Sequence, residues 1–406
     1  MIPFSPPHID QKIIDEVIAA LKSGWITTGA RTKQFENELA KYTGASNVLC
    51  QNSATAGLEL MLRWFGVGPG DEVIVPAYTY CATANVVLHC GAKPVMADVN
   101  DDFNISVNEI EKAITEKTKV IIPVDIGGLP CDYDEINSLV RNTDVQKKFR
   151  PSNNAQKLLG RILIMSDAAH SIGATYNDKR TGSLTDLTVL SFHAVKNLTT
   201  AEGGAVCFNL PEPFDNEQLY RDLCIKSLHG QTKDAFSKAQ KGAWEYDVIE
   251  AGYKSNMPDV LAAIGLAQLE QYDDEILSRR ENIFQQYSKA FSAYEWAQLP
   301  VGERNGKPAN AKSSFHLYML RIKDVSESQR NEIIQKIFEQ EVSVNVHFKP
   351  LPLLSLYKNL GYNISDYPKA YDNFSREISL PVYYDLTDEQ IQTVIQATVQ
   401  AVEQVI

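Results

Sequence analysis

Short apolar runs alternate with helix-like segments over the first half of the chain, and this alternation restricts the possible folds. Six runs have the length and composition of strands that are buried on both faces: residues 73–75, 94–98, 120–124, 162–166, 189–192 and 205–208. Between them, apolar residues recur at helical spacing. Alternating strands and helices pack as a mostly parallel sheet with helices on both faces. The sequence therefore predicts an α/β fold.

The 406 residues are too many for one small domain. A helical pattern over residues 259–272 precedes polar helix-like sequence and then a mixture of strand-like and helix-like segments. We therefore predict a large domain over residues 1–265 and a smaller α+β domain over residues 266–406. The polar stretch 142–161 interrupts the alternation and is expected to be a surface insertion. Three basic residues within it, Lys147, Lys148 and Arg150, are expected in solvent.

The balance of charges argues against several classes of partner. Lys and Arg number 39 and Asp and Glu number 51, which gives a formal net charge of −12. We therefore expect no nucleic-acid partner and no attraction to anionic membranes, and an anionic ligand must be held by local groups. No apolar run of about 18 residues occurs, so no membrane span is expected. The six cysteines form no CxxC pair, which predicts free thiols, no metal site and a cytoplasmic protein.

A candidate phosphate site lies in the sequence QNSATAG, residues 51–57, between a short apolar run and an amphipathic helix. The first N–H groups of such a helix, here those of Ala54 and Thr55, have no intrahelical acceptor. Together with the positive end of the helix dipole they suit an anion. An ordinary helix cap at Ser53 or Thr55 explains the same residues.

The apolar run 162–166 is followed directly by a carboxylate, Asp167, and three residues later by His170. In open α/β sheets, ligands bind at the carboxyl ends of the strands. A carboxylate there can keep a proton on a heteroaromatic nitrogen. The alternative is a helix cap at Asp167 and a core histidine at His170.

Lys196 lies on the turn after the run 189–192, among small residues and close in sequence to Gly203 and Gly204. Glycines let other backbone approach closely, so this lysine is placed for covalent work, for example on an aldehyde cofactor. A lone lysine is otherwise a solvated charge. The candidate phosphate site, the carboxylate at the end of a strand and this amine together match what pyridoxal 5′-phosphate (PLP) requires of a binding site.

Seven segments between about residues 20 and 350 resemble, in order, the motifs of the DegT/DnrJ/EryC1/StrS family of PLP-dependent nucleotide-sugar aminotransferases. They are SGWITTGARTKQFE, SATAGLEL, VIVPAYTYCATANVV, SDAAHSIGATY, SFHAVKNLTTAEGG, GYKSNMPDVLAAIGLAQL and VNVHFKP. The resemblance implies the aspartate aminotransferase-like PLP fold, fold type I. The lysine segment resembles members that aminate UDP-linked 4-keto sugars.

The resemblance also implies roles for the residues of these motifs. Lys196 should bind the cofactor covalently and then move a proton between the substrate and the cofactor. Asp167 should pair with the pyridinium nitrogen, and His170 should lie near the ring oxygen. Tyr80 should stack on the cofactor ring. The residues expected at the phosphate are Ala54, Thr55 and Ser191.

The family builds each active site from two subunits, so the resemblance implies a homodimer with shared sites. Many members carry a Gly-Tyr-Asn-x-Arg segment that reaches the partner's cofactor phosphate. Here Lys254 stands in place of the Asn and Asn256 in place of the Arg. Either residue can serve, and the sequence does not choose between them.

The expected function is transfer of an amino group from an amino acid, expected to be L-glutamate, to a nucleotide-linked 4-keto-6-deoxy sugar. UDP is favoured over dTDP, and the product is expected to feed surface polysaccharide, lipopolysaccharide or glycan synthesis. The residues expected near this substrate are Trp25, Thr27, His193 and His347. Two alternatives share the fold. A sugar dehydratase usually replaces the catalytic lysine by histidine, and a regulatory PLP-binding protein needs no turnover; Lys196 and Asp167 argue against both.

Overall fold

The computed structural model describes residues 1–233, 245–304 and 310–406. Its strands are β1 (Asn47–Gln51), β2 (Glu72–Pro76), β3 (Lys93–Ala97), β4 (Thr118–Ile121), β5 (Leu163–Asp167), β6 (Thr175–Tyr176), β7 (Lys179–Arg180), β8 (Leu187–Ser191), β9 (Gly204–Phe208), β10 (Ala297–Gln298), β11 (Glu303–Arg304), β12 (Ala311–Lys312), β13 (Tyr318–Ile322) and β14 (Glu377–Leu380).

The α-helices of the described residues are α1 (Gln11–Lys22), α2 (Ala30–Thr43), α3 (Ala54–Trp64), α4 (Ala82–His89), α5 (Val107–Ala113), α6 (Tyr133–Arg141), α7 (Thr143–Lys148), α8 (Asn154–Leu159), α9 (Asn216–Lys226), α10 (Asp259–Glu270), α11 (Ser278–Phe291), α12 (Glu327–Glu339), α13 (Ser355–Asn359), α14 (Pro368–Arg376) and α15 (Asp388–Glu403). A π-helical turn, Tyr272–Leu277, joins α10 to α11, and 3₁₀ turns occur at Ile126–Gly128, Leu351–Leu353 and Ile364–Asp366.

The central sheet has seven strands in the order β1-β9-β8-β5-β4-β2-β3. Strands β2, β3, β4, β5 and β8 pair in parallel, whereas β9 runs antiparallel to both of its neighbours. Each of the six predicted runs overlaps one strand, so the α/β prediction is confirmed. The β4 ladder ends at Ile121, earlier than expected, because Pro123 has no N–H to donate.

Helices cover both faces of this sheet, as the continuous burial of its strands requires. Every residue of β5 and of β8 is buried. Helix α3 packs against β8 and β9, while α2 packs against β1 and α10. Gly265 permits the α2–α10 contact, because a Cβ on it would lie 2.5 Å from the Phe35 ring. The faces of the central strands are therefore covered by helices, and the loops at the strand ends remain to form a site.

A second, antiparallel sheet has the order β10-β13-β14 and packs with α11, α12 and α15 around its own apolar core. Ile2, at the start of the chain, belongs to that core. The division at residues 265 and 266 stays a prediction. Two features link the two parts: β12 pairs with β6, and Leu351 and Tyr357 pack into the core of the central sheet.

The stretch 142–161 contains α7 and α8. Three of its basic side chains, Lys147, Lys148 and Arg150, are exposed as expected. The stretch is nevertheless anchored, because Gln156 is buried and its Nε2 donates to the Phe65 carbonyl at 2.9 Å.

No helix in the described part of the chain is both long and apolar enough to span a bilayer. Within the same residues, no group of three or more His, Cys, Asp or Glu side chains is arranged to hold a metal ion.

Candidate active site

A cavity of about 400 Å³ opens where β5 and β8 end and β9 begins. It is lined by residues from the central sheet, from the chain start and from the segments after β12 and before β14. The site residues expected from the sequence that line it are Ala54, Thr55, Tyr80, Asp167, His170, Ser191, His193, Lys196 and His347.

Asp167 is the last residue of β5 and is buried. Thr83 Oγ1, on α4, donates to its Oδ2 at 2.8 Å, and the Ala169 N–H donates to Oδ1 at 3.2 Å. Burial raises the pKa of this carboxyl, while these two hydrogen bonds and the charge of Lys196 act in the opposite direction. Thr83 fixes the carboxyl orientation, and the sequence analysis did not identify it.

Lys196 lies half-buried on the turn that follows β8. Its own N–H donates to the His193 carbonyl at 2.9 Å, and the Thr200 N–H donates to the Phe192 carbonyl at 2.9 Å, so the turn is closed by backbone bonds. Burial lowers the pKa of Lys196 to about 8, and Asp167 partly opposes that shift. With this pKa, about a tenth of the amine is uncharged at pH 7, far more than for an exposed lysine.

The start of α3 lines the same cavity as Asp167. Ser53 caps the helix, because its Oγ accepts from the Ala56 N–H at 3.1 Å. The N–H groups of Ala54 and Thr55 remain without a hydrogen-bond acceptor in the described residues, and both residues line the cavity. A Cβ on Gly204 would lie 2.4 Å from the Ala54 nitrogen, so β9 can lie this close to α3 only with glycine there.

Two buried imidazoles form one wall of the cavity. His170 Nδ1 accepts from the Gly127 N–H at 3.3 Å, so the ring proton lies on Nε2. The ring of His316 lies 4.3 Å from that of His170, and His316 Nδ1 lies 2.8 Å from Asn197 Oδ1. Burial, followed by neighbouring positive charge, lowers the pKa of both histidines well below the usual value.

His316 was missed in the sequence analysis. Its only signal there is a polar residue within the apolar run 315–322. The chain start was also missed: Phe4 lines the cavity and its ring stacks on that of His347, with centroids 5.3 Å apart.

The mouth of the cavity carries three of the expected residues. Tyr80 is exposed, and its ring lies 5.9 Å from that of Phe348. His193 is also exposed, with Nε2 3.7 Å from Glu202 Oε1. His347 is half-buried, and burial together with the Lys196 charge lowers its pKa to about 3.

Four expected residues do not line this cavity: Trp25, Thr27, Lys254 and Asn256. The last two lie on a segment beside the start of α3, where the Asn52 N–H donates to the Ser255 carbonyl at 2.6 Å. Asn256 Nδ2 donates to Thr28 Oγ1 at 2.5 Å, which ties this segment to the loop that carries Trp25. Lys254 is exposed.

The model of the DegT/DnrJ/EryC1/StrS aminotransferase family matches residues 7–147 and 155–399. The chain belongs to this family. The gap in the match, residues 148–154, lies within the stretch 142–161. The aminotransferase is also 36% identical over 401 residues to the spore coat polysaccharide biosynthesis protein SpsC of Bacillus subtilis, covering 98% of this chain and 96% of SpsC.

Solved structures agree with this assignment. The PMP form of Spr1654 from Streptococcus pneumoniae, described as a sugar aminotransferase, superposes with a TM-score of 0.95 at 46% identity and full coverage of both chains. Its PLP form gives a TM-score of 0.93. PseC of Helicobacter pylori, an aminotransferase involved in the biosynthesis of pseudoaminic acid, gives 0.85 at 28% identity, with 99% of each chain covered. The aminotransferase therefore has the fold-type-I architecture that the motifs implied.

The protein is a PLP-dependent sugar aminotransferase, and the residues of the cavity fit that cofactor. An amine of lowered pKa suits an aldehyde, a buried carboxyl suits a pyridine nitrogen, and unpaired helix N–H groups suit a phosphate. Glycine at position 204 lets β9 pack directly against the helix start that carries these N–H groups.

Proposed function

We propose that the aminotransferase transfers an amino group from L-glutamate to a nucleotide-linked 4-keto-6-deoxy sugar, with UDP favoured over dTDP. Two similarities support a role in surface polysaccharide, lipopolysaccharide or glycan precursor synthesis. SpsC is named for spore coat polysaccharide biosynthesis, and PseC takes part in the biosynthesis of pseudoaminic acid. The free cysteines suit a reducing compartment, so we place the reaction in the cytoplasm.

One observation carries this proposal: Lys196 and Asp167 line the same cavity as the free N–H groups at the start of α3. We assign the cofactor phosphate to Ala54, Thr55 and Ser191. PLP, when bound, supplies an electron sink that stabilises the carbanion left when an amino acid loses its α-proton. Asp167 keeps a proton on the ring nitrogen, which strengthens that sink.

Lys196 is the proposed acid and base. Its lowered pKa means that the amine is uncharged in a useful fraction of molecules, so it can take a proton from the donor and return it to the acceptor. His170 presents Nε2–H as a neutral donor, because Gly127 occupies its Nδ1. Tyr80, exposed at the mouth, is assigned the stacking contact with the cofactor ring.

We assign the sugar to the mouth of the cavity, where His193 and His347 lie. The nucleotide then extends towards the loop that carries Trp25 and Thr27. That loop is held firmly, because Asp259 accepts from the Gly29 N–H at 2.7 Å and from the Thr32 N–H at 2.9 Å. A loop that is already fixed loses less conformational entropy when it binds a nucleotide.

The working unit is proposed to be a homodimer with shared active sites. Lys254 is exposed and lies outside the cavity of its own chain, which supports a role at the site of a second copy. Lys254 Nζ is hydrogen-bonded to Asn256 Oδ1, so the two side chains can act on one phosphate together.

The test is a panel of UDP- and dTDP-linked 4-keto sugars incubated with the purified enzyme and L-glutamate. We expect mass spectrometry to find an amino sugar and 2-oxoglutarate in equal amounts with at least one UDP sugar. The Lys196→Ala variant is the matched control and should give neither product. Formation of a dehydrated sugar, or no product from any sugar of the panel, would contradict the proposal.

A further inference from the structure

Three polar groups lead from the cavity into the C-terminal sheet. The imidazole of His347 lines the cavity, and its Nδ1 lies 3.0 Å from Ser379 Oγ. Ser379 Oγ is in turn hydrogen-bonded to Glu377 Oε1 at 2.5 Å. Ser379 and Glu377 stand two residues apart on β14, so both project from the same face of the strand. The hydroxyl therefore connects the imidazole to a fully buried carboxyl.

Glu377 also holds the main chain of His347. The His347 N–H donates to Glu377 Oε2 at 3.0 Å, and the Tyr78 hydroxyl donates to the His347 carbonyl at 2.5 Å. Asn345 and Ser379 exchange backbone hydrogen bonds at 3.1 and 2.8 Å. With the backbone and Nδ1 engaged, Nε2 is the nitrogen left for a ligand, and no described residue is hydrogen-bonded to it.

The environment keeps the His347 ring neutral. It is half-buried and shares the cavity with the amine of Lys196, and both facts oppose an imidazolium. A histidine that must stay neutral can pass on a proton at one nitrogen only if it gains a proton at the other. Ser379 and Glu377 adjoin that other nitrogen.

We propose that Glu377 and Ser379 form a proton relay that determines whether His347 Nε2 donates or accepts a hydrogen bond, and that the neutral ring uses this relay to exchange a proton with an oxygen of the sugar. Glu377 is thus a positioning residue that acts through His347. The use on a sugar rests on the function proposed above, whereas the relay itself does not.

The relay has two states. When Glu377 is protonated, its O–H donates to Ser379 Oγ, the Ser379 O–H donates to His347 Nδ1, and Nε2 carries the ring proton. When Glu377 is ionised, the Ser379 O–H donates to the carboxylate, Nδ1–H donates to Ser379 Oγ, and Nε2 presents its lone pair. In passing from the first state to the second, Nε2 loses one proton, while the Glu377 and Ser379 protons each move one group towards the ring.

The surroundings of Glu377 determine the pH at which one state of the relay replaces the other. Burial raises the pKa of Glu377 to about 8, and the bonds from Ser379 and His347, with the charges of Arg330 and Arg321, oppose the shift. The carboxyl is therefore protonated below about pH 8 and ionised above it. The titratable or charged side chains that face Glu377 are those of Tyr78, Arg321, Arg330 and His347.

The relay is tested by NMR on the PLP-loaded enzyme labelled with [¹⁵N]histidine. Long-range ¹H–¹⁵N spectra distinguish the two neutral tautomers of a histidine from imidazolium, and the His347→Gln variant identifies the signal. We expect Nε2–H below and Nδ1–H above a midpoint near pH 8. One unchanged tautomer from pH 6 to 10, or an imidazolium signal within that range, would overturn the proposal.

Variants separate the relay from a general pH effect. In Glu377→Gln, the amide can donate to Ser379 and still accept the His347 N–H, so we expect Nε2–H at every pH. Ser379→Ala should abolish the pH dependence of the tautomer, while Ser379→Thr, which keeps the hydroxyl, should retain it. A Glu377→Gln enzyme that still switches near pH 8 would show that another group controls the ring.

The role on the sugar has its own readout. Stopped-flow measurement of the two half-reactions should show Glu377→Gln slowing the sugar half-reaction at least tenfold more than the glutamate half-reaction above pH 8. Equal slowing would overturn the sugar-side role. If the sugar class is wrong, no sugar half-reaction occurs in the wild type, yet the tautomer switch remains visible by NMR, so the two failures are distinguishable.

Discussion

Lys196 and Asp167 owe their properties to burial, which acts on both charged forms in the same cavity. Burial raises the pKa of the carboxyl and lowers that of the amine, and the attraction between the two groups limits both shifts. Each residue type is ordinary by itself. Their placement, with Asp167 at the end of β5 and Lys196 on the turn after the neighbouring parallel strand β8, makes them reactive.

At the scale of one residue, we predict how capture of PLP by cofactor-free enzyme depends on pH. The pKa of Lys196 is lowered to about 8, so the uncharged amine increases with pH up to that value. The capture rate, followed by absorbance, should rise about tenfold per pH unit below pH 8 and then level off. The rate of PLP with a free lysine derivative at the same pH values, divided by the uncharged fraction of that amine, corrects for the cofactor's own titration.

Two variants check that assignment. Lys196→Ala should show no absorbance of lysine-bound cofactor. Asp167→Asn removes the charge that raises the pKa of Lys196, so its midpoint should move to lower pH. A wild-type midpoint near 10.5, the value for an exposed lysine, would contradict the prediction.

A second prediction concerns the orientation of Asp167. Asp167→Asn should slow exchange of the glutamate α-proton by about two to three orders of magnitude, or roughly 3–4 kcal/mol, because the ring nitrogen loses its anionic partner. Deuterium exchange followed by NMR measures this step. Thr83→Val removes the hydroxyl that orients the carboxyl and should slow exchange to a smaller extent, whereas Thr83→Ser should restore it. An Asp167→Asn rate within tenfold of wild type would assign the nitrogen to another group.

At the scale of elements, β9 and α3 must lie very close together to form the phosphate end of the cavity. Strand β9 begins at Gly204, which pairs with Gln51 at the end of β1 and with Ser191 at the end of β8. The same glycine faces the first peptide of α3. The position of the helix start therefore depends on a residue without a side chain.

We predict that Gly204→Ala weakens PLP binding about tenfold or more and destabilises the fold by about 1–3 kcal/mol, because its Cβ would lie 2.4 Å from the Ala54 nitrogen and backbone must shift. Equilibrium binding and thermal unfolding measure the two effects. Gly68→Ala is the matched control, since a Cβ there meets nothing within 4 Å. Wild-type affinity in Gly204→Ala would show that α3 does not hold the phosphate.

At the scale of the whole molecule, the cavity is assembled from distant parts of the chain. Phe4, at the start of the chain, stacks on His347. His170, which follows β5, and His316, which precedes β13, touch within the cavity wall. The proposed homodimer adds a further contribution, because Lys254 and Asn256 lie outside the cavity of their own chain.

Mixing experiments test the shared site. Lys196→Ala subunits are combined with subunits carrying Lys254→Ala and Asn256→Ala, and subunit exchange is verified with different tags. If the sites are shared, hybrids contain one intact site, and activity should partly return. Loss of a charge-assisted hydrogen bond, about 1.5–3 kcal/mol, should weaken PLP binding in the double variant roughly ten- to hundredfold. Activity equal to the sum of the parents would remove the shared-site proposal.

The sequence by itself determined the features that depend on neighbouring residues. The strands follow from apolar runs, and the α3 start follows from Ser53 and the small residues after it. Asp167 at the end of β5 and Lys196 on the turn after β8 follow from the points where those runs stop. In a mostly parallel sheet such ends converge on one edge. Local sequence pattern was therefore sufficient to predict that the amine, the carboxyl and the helix start lie close together.

Only the tertiary structure decided the groups that orient those residues. Thr83 is 84 positions from Asp167, His316 is 119 positions from Asn197, and Ser379 is 32 positions from His347. No local pattern marks such pairs, because each side chain is unremarkable in its own segment and gains its partner only when segments distant in sequence pack together. Burial, and with it the pKa of Lys196 and Glu377, is likewise a property of the packed molecule.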